Sequence, residues 1–468
     1  MVFSSLLFLY VFFPLCLLAY FLVPSIKGKN AVLIAASLVF YAWGEPLYVF
    51  LLVAVAAVNY GFGRWMEYNR EAKKTLLIVA VSLNIACLAV FKYAGLFVQT
   101  VSDLFSLGWS APAIALPIGI SFYIFQSISY LADVYRDDVP AQKSFWRFLL
   151  YISLFPQLIA GPIVRYREIE SQLEKRELQP RRIFYGALRF CIGLGKKVLI
   201  ANYAGKVVAM LLTPNATVTG AWFGMVMFAF EIYFDFSGYS DMAIGMGHIF
   251  GFQYAENFDL PYTAGSITEF WRRWHISLGS FFRDYVYIPM GGNRRHQILN
   301  LLVVWSLTGI WHGASWNFLL WGLYFFVLLV AEKKLQKMLA RIPKWLCHIG
   351  TLFLLLIGWT VFYYTDFPQM LSAFKTMFGG AAAYTQETGA VMLNSLPLLL
   401  VCILGSTRLP RMAGLLLNGV AAAEGASNVR WREVVYAVSV TVFDLAILAL
   451  STVSLVGSTY NPFLYFRF

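Results

Sequence analysis

The sequence predicts an all-α polytopic membrane protein, with about 10–12 membrane helices that include short and re-entrant ones. Three observations lead there. Of the 468 residues, 60% are hydrophobic and only 13% are charged, and the mean hydropathy is +0.67. A soluble domain carries about 25% charged residues, so this chain has too little polar surface to coat a globule of its size. Apolar runs approaching the about 20 residues of a spanning helix recur from end to end. The runs are continuous, whereas the strands of a β-barrel alternate. Lipid forces each span to satisfy its own backbone groups, which selects helices. The runs interlock without a soluble insertion, so residues 1–468 read as a single membrane-embedded domain.

Along the chain, residues 1–23 form an apolar run with no basic leader and no small-residue cleavage site, which reads as a retained first span. Basic residues then mark alternate connections. Lys27 and Lys29 come first, then Arg64, Arg70, Lys73 and Lys74, then Arg136 and Lys143. Further basic stretches occupy 165–182, 272–295, 333–344 and 408–432. The intervening connections at 44–46, 107–112, 213–220 and 365–390 lack Lys and Arg, apart from Lys375. The positive-inside rule places the basic set in the cytoplasm and both termini outside. These loops account for the net charge of +12, so no nucleic-acid partner is expected; the partner is membrane lipid. The five cysteines show neither metal nor redox spacing and read as small buried hydrophobes.

Two runs break the alternation. Residues 145–164 have basic flanks on both sides and carry Pro156, Gly161 and Pro162. A single span cannot start and end on one side, so this is a re-entrant or broken segment, tolerated only where protein shields it. Residues 298–330 are also flanked by basic residues and are interrupted at Trp311-His312-Gly313-Ala314-Ser315-Trp316. Each arm has about 15 residues, or about 22 Å of helix, against a hydrocarbon core of about 30 Å. A hairpin entering from the cytoplasm then carries His312 at its tip, beyond the midplane. Two full spans with strong tilt or an unusual loop are the alternative.

A histidine within the membrane marks a functional site by default. Gly313 and Ala314 leave room beside His312, and Trp311 and Trp316 are placed to wall off water. An unperturbed imidazole titrates near neutral pH and suits the removal of a hydroxyl proton. The competing reading is a structural histidine bonded to a neighbouring helix. His275 lies in the aromatic and basic stretch Phe270-Trp271-Arg272-Arg273-Trp274-His275. That stretch reads equally as an interfacial helix with snorkelling arginines or as an anion-recognising mouth. Glu231 and Asp235, spaced i, i+4, share one helical face. They read as ion-pair partners of Arg189, Lys196 or Lys197, or more sharply as a relay. No HExxH, GxSxG or Walker A pattern is present, which argues against an ATP-driven pump and a serine hydrolase. No metal site is expected.

Several joined motifs resemble the membrane-bound O-acyltransferase family in its bacterial alginate O-acetyltransferase branch. They include Leu116-Pro117-Ile118-Gly119-Ile120-Ser121-Phe122-Tyr123 and Phe155-Pro156-Gln157-Leu158-Ile159-Ala160-Gly161-Pro162. Others are Phe234-Asp235-Phe236-Ser237-Gly238-Tyr239-Ser240-Asp241, Tyr287-Ile288-Pro289-Met290-Gly291-Gly292-Asn293, the segments around His275 and His312, and Asn461-Pro462-Phe463-Leu464-Tyr465-Phe466. The resemblance implies helices around a thin central partition, with a funnel on each side, and places the family's catalytic histidine on His312 and its second motif histidine on His275.

The resemblance further implies transfer of an acyl group, acetyl in this branch, from a cytoplasmic thioester to a hydroxyl outside. The donor, acetyl-CoA or an acyl-carrier thioester, is a substrate, and no bound cofactor is expected. Trp311, Trp316 and Asn317 are candidate wall or orienting residues, while Arg272 and Arg273 are candidates for drawing an anionic donor. The expected partners are an acyl donor or carrier on the cytoplasmic side, and an extracytoplasmic acetyltransferase with its polysaccharide. The expected location is the bacterial cytoplasmic (inner) membrane. The rivals are D-alanyl transfer to teichoic acid by the same fold, a polysaccharide-related transporter or flippase, and a noncatalytic scaffold. The aromatic tail from Phe463 to Phe468 is expected to pack at, or plug, the outer funnel.

Overall fold

A computed structural model describes residues 1–112, 114–410, 412, 429–457 and 463–464. Among the described residues every regular element is helical, as a lipid-spanning chain requires. Among the described residues five helices are long and apolar enough to cross a membrane: Tyr48–Tyr68, Lys73–Phe105, Lys344–Tyr363, Gln386–Gly405 and Val434–Val456. Others, such as Phe13–Leu22 and Ile26–Ala42, are shorter. The Val218–Phe250 helix, 33 residues long, carries three acidic side chains in its middle.

The two classes of connection segregate. Among the Lys/Arg-poor ones, Val218 donates its backbone N–H to Ala382 O (3.0 Å), and the Tyr48 hydroxyl donates to Ala115 O (3.0 Å). Among the basic ones, Lys73 pairs with Asp137 (2.7 Å) and Arg165 with Asp284 (2.5 Å). Loops that the charge pattern assigns to one side therefore touch one another.

The central packing is built on close approach. A Cβ on Gly193 would lie 2.5 Å from Gly238 O, so the Pro180–Gly195 and Val218–Phe250 helices meet backbone to backbone, as small residues allow within membranes. The buried ions lie along this contact. Lys197 pairs with Asp235 at 2.5 Å, while Lys196 (2.7 Å) and Arg189 (2.9 Å) pair with Asp241. The pairing reading of Asp235 thus holds. Arg189 and Lys196 pair with Asp241 rather than with either member of the i, i+4 pair. Leu464 donates its backbone N–H to Asp235 at 3.0 Å, and the Phe463 ring lies 4.8 Å from that of Tyr239. The tail is packed at those two residues; 465–468 lie outside the described residues.

Residues 145–164 are broken as expected. The Phe145–Ser153 helix stops at Leu154, a four-residue turn Phe155–Leu158 follows, and the chain runs non-helically to Tyr166. Every residue from Phe148 to Val164 is buried, so protein supplies the shield.

Candidate active site

The hairpin consists of Gln297–His312, a break at Gly313, Ala314 and Ser315, and Trp316–Leu339. The first arm has 16 residues, close to expectation. The second has 24, longer than the apolar pattern suggests. Its apolar part ends near Val330, but Glu332–Lys337 are good helix formers and extend the helix past the membrane-compatible stretch. The arms cross at glycines: a Cβ on Gly309 would lie 2.3 Å from Phe318 O, and one on Gly322 would lie 2.3 Å from Trp305 O. The tip reaches the connection at 365–390, where Ser315 Oγ donates to Thr365 O (2.8 Å) and Asn317 Nδ2 to Tyr364 O (2.5 Å). His312 therefore sits near the connection at 365–390, one of the Lys/Arg-poor set.

A cavity of about 1720 Å³ opens at the opposite, basic end, where Arg272, Arg283, Lys333 and Lys344 line it. Its walls carry Trp271, Trp274 and Trp305, and it reaches both His275 and His312. The two imidazoles flank one indole, with ring centroids 5.9 Å (His275) and 5.1 Å (His312) from Trp311. Edge contacts with Trp321 (5.0 Å) and Phe362 (5.3 Å) fix the other faces of His312.

His275 is held by an elbow. Its φ of +46° lies in the left-handed region, which costs a non-glycine residue about 1 kcal/mol and persists only where its surroundings impose it. Asn257 imposes it here. Its carbonyl accepts from the Ile276 N–H (2.9 Å), its side chain accepts from Ser277 Oγ (2.8 Å), and its Nδ2 donates to Ser240 Oγ (3.1 Å) on the Val218–Phe250 helix. The helix before the elbow, Ile267–Arg273, is tied to the hairpin by Glu332, whose carboxylate accepts from the Ile267 N–H at 2.8 Å.

The residues selected from sequence divide accordingly. His312, His275 and Arg272 line the cavity, and Trp311 is buried between the histidines. Arg273 turns aside to Glu269 (2.6 Å). Asn317 secures the tip, and Trp316 is exposed, donating from Nε1 to Thr100 Oγ1 (3.2 Å); none of these three lines the cavity.

Sequence reasoning missed Lys92 and Tyr93. In a π-helical turn, Ala89–Tyr93, Lys92 Nζ donates to Trp311 O and the Tyr93 hydroxyl donates to Ile310 O (2.8 Å). The signal was a lone cation inside an apolar run; reading only the clusters that flank runs passes over it.

A helical membrane body whose cavity reaches two imidazoles is compatible with acyl-transfer chemistry. The family model of the membrane-bound O-acyltransferases (MBOAT) matches residues 35–365. The chain belongs to that family and is a multi-pass membrane O-acyltransferase. It is 34% identical to the "Probable alginate O-acetylase AlgI" of Azotobacter vinelandii over 100% of both chains. It is 32% identical to the peptidoglycan O-acetyltransferase of Helicobacter pylori, covering 81% of this chain and 80% of that one. With the teichoic acid D-alanyltransferase of Bacillus subtilis it shares 29% identity, over 47% of this chain and 60% of that one.

Proposed function

We propose that the chain, as one membrane-embedded domain of the bacterial inner membrane with both termini outside, passes acetyl groups from a cytoplasmic thioester to a hydroxyl beyond the membrane. The observation that carries this reading is the cavity, which runs from a rim bearing Arg272, Arg283, Lys333 and Lys344 to both imidazoles. A thioester of acetyl-CoA or of an acyl carrier enters there, and Arg272 meets its phosphates. The acceptor hydroxyl approaches from the other side of the hairpin tip. It belongs to a polysaccharide, or to an extracytoplasmic acetyltransferase that hands the group on.

His312 accepts the hydroxyl proton as the oxygen attacks the thioester carbonyl carbon. The carbonyl electron pair moves to its oxygen and then returns, breaking the carbon–sulfur bond. The departing thiolate takes the proton from His312, leaving an ester and a thiol. His275 faces the same space and orients the acyl group. Acetyl is favoured over D-alanyl because the similarity to O-acetylating relatives extends along most or all of the chain, whereas the match to the D-alanyltransferase covers 47% of it.

The test is polymer-bound ester acetate in cells carrying wild type or His312→Ala at equal membrane abundance. Loss of a general base lowers transfer about 10²- to 10⁴-fold. Unchanged acetylation would overturn the mechanism in favour of a transporter or scaffold.

A further inference from the structure

We infer that Lys92 and Tyr93 are positioning residues for the transfer: a pair of donors that fixes the chain end carrying His312. The inference rests on the reading of His312 as the proton acceptor.

The last four carbonyls of a helix have no intrahelical partner. In an apolar interior each unpaired one costs free energy comparable to a lost hydrogen bond or more. The Gln297–His312 helix ends inside the protein at its functional residue, so its carbonyls need donors from elsewhere. Two of them are met by side chains of one other helix: Ile310 O by the Tyr93 hydroxyl (2.8 Å) and Trp311 O by the Lys92 ammonium. The carbonyl of Trp311 belongs to the peptide unit that joins it to His312. Holding that oxygen therefore sets the plane from which the His312 side chain departs.

The choice of a lysine is itself informative. Lys92 is 8% exposed within an apolar helix, and among the described residues no carboxylate pairs with it. Burying an ammonium carries a large desolvation penalty. The negative end of a helix offsets part of that cost, and it is at such an end that Lys92 lies. Its Nζ is also 5.8 Å from the centre of the Trp311 ring, the indole between the two histidines. Consecutive residues of a regular helix point about 100° apart. The π-helical turn at Ala89–Tyr93 lets neighbours reach successive carbonyls of the same strand of chain, and such turns recur at functional sites.

The far side of the break is fixed by other side chains, one of them bonded to the same Lys73–Phe105 span. Ser315 and Asn317 bond to the carbonyls of Thr365 and Tyr364, and Trp316 bonds to Thr100. His312 is thus suspended between two anchored ends, and Lys92 and Tyr93 form the anchor on its own helix. A displacement of about 1 Å at a reacting group can lower a rate 10²-fold.

The experiment compares initial rates of polymer acetylation in cells expressing wild type, Lys92→Met, Lys92→Gln, Lys92→Arg, Tyr93→Phe and His312→Ala, each normalised to membrane abundance. Lys92→Met should lose about 10- to 100-fold. Lys92→Gln and Lys92→Arg, which keep a donor, should recover most of it, and Tyr93→Phe should show a smaller fall. Wild-type rates in Lys92→Met, or an equal loss in all three Lys92 variants, would overturn the proposal while a dead His312→Ala left the proton-acceptor reading standing. An active His312→Ala would remove both. If Lys92→Met fails to accumulate, Tyr93→Phe decides: an unchanged rate overturns the positioning role.

Discussion

Asp235 and Lys197 meet at 2.5 Å with their side chains 1% and 4% exposed, and Leu464 adds a backbone hydrogen bond. A buried pair of this kind contributes little net stability, but breaking it strands a charge at a cost of about 3–5 kcal/mol. Lys197→Met should therefore lower the melting temperature in detergent far more than the double variant Lys197→Met with Asp235→Leu. Similar losses in the two would mean that the pair is not coupled. At this scale the sequence was readable wherever one residue broke a strong pattern. His312 stood out because glycine and small residues surrounded it in an apolar run, and Asp235 because its carboxylate needed a cation. Lys92 broke a pattern too, but its partner is a backbone carbonyl 219 positions away, and that of Tyr93 is one 217 positions away. Carbonyls have no residue type, so no sequence pattern marks them. Trp316 and Asn317 were drawn in by adjacency to His312, and the turn at Gly313 sends them towards other neighbours.

At the scale of elements, the hairpin and the broken segment were legible because loop charge restricts where a chain can start and finish. Their boundaries were less so. The second arm runs to Leu339 because polar residues can extend a helix beyond its apolar part. The contact between the arms depends on Gly309 and Gly322. A methyl group at Gly309 would press on the Phe318 carbonyl, a backbone atom that cannot swing away. Gly309→Ala should cost about 1–3 kcal/mol by overpacking and reduce acetylation through displacement of the tip. An unchanged melting temperature together with full activity would show that the arms do not depend on this contact.

Across the whole molecule, the separation of basic from Lys/Arg-poor ends follows from the sequence, while the joining of distant segments at the cavity rim does not. Asp284 illustrates the second point. It binds Arg165 at 2.5 Å, Arg167 at 3.2 Å and Arg283 at 2.7 Å, linking the segment after the His275 elbow to the chain that follows the broken one. Burial pushes its carboxyl up, but Arg283 and Arg165 outweigh that and hold it below the usual carboxylate range. A lowered folded-state pKa stabilises above the unfolded value, so this contribution is complete above about pH 4 and disappears as the pH falls further. Melting temperatures followed downward from pH 6 should show a steeper acid loss in wild type than in Asp284→Asn; parallel curves would remove the rim linkage.

The fully covered stretch from Phe148 to Val164 also bears on how the protein is made. One of its walls is the Val218–Phe250 helix, which packs on the Phe155–Leu158 turn and begins about 60 residues later in the chain. At about 5–20 residues per second of synthesis, that wall arrives several seconds after the segment it encloses. During that interval the segment is covered only by helices made before it, such as Ile26–Ala42 and Tyr48–Tyr68, and lacks this last wall. Its cover is complete only once the later helix is in place, so burial of this segment cannot finish strictly in the order of translation.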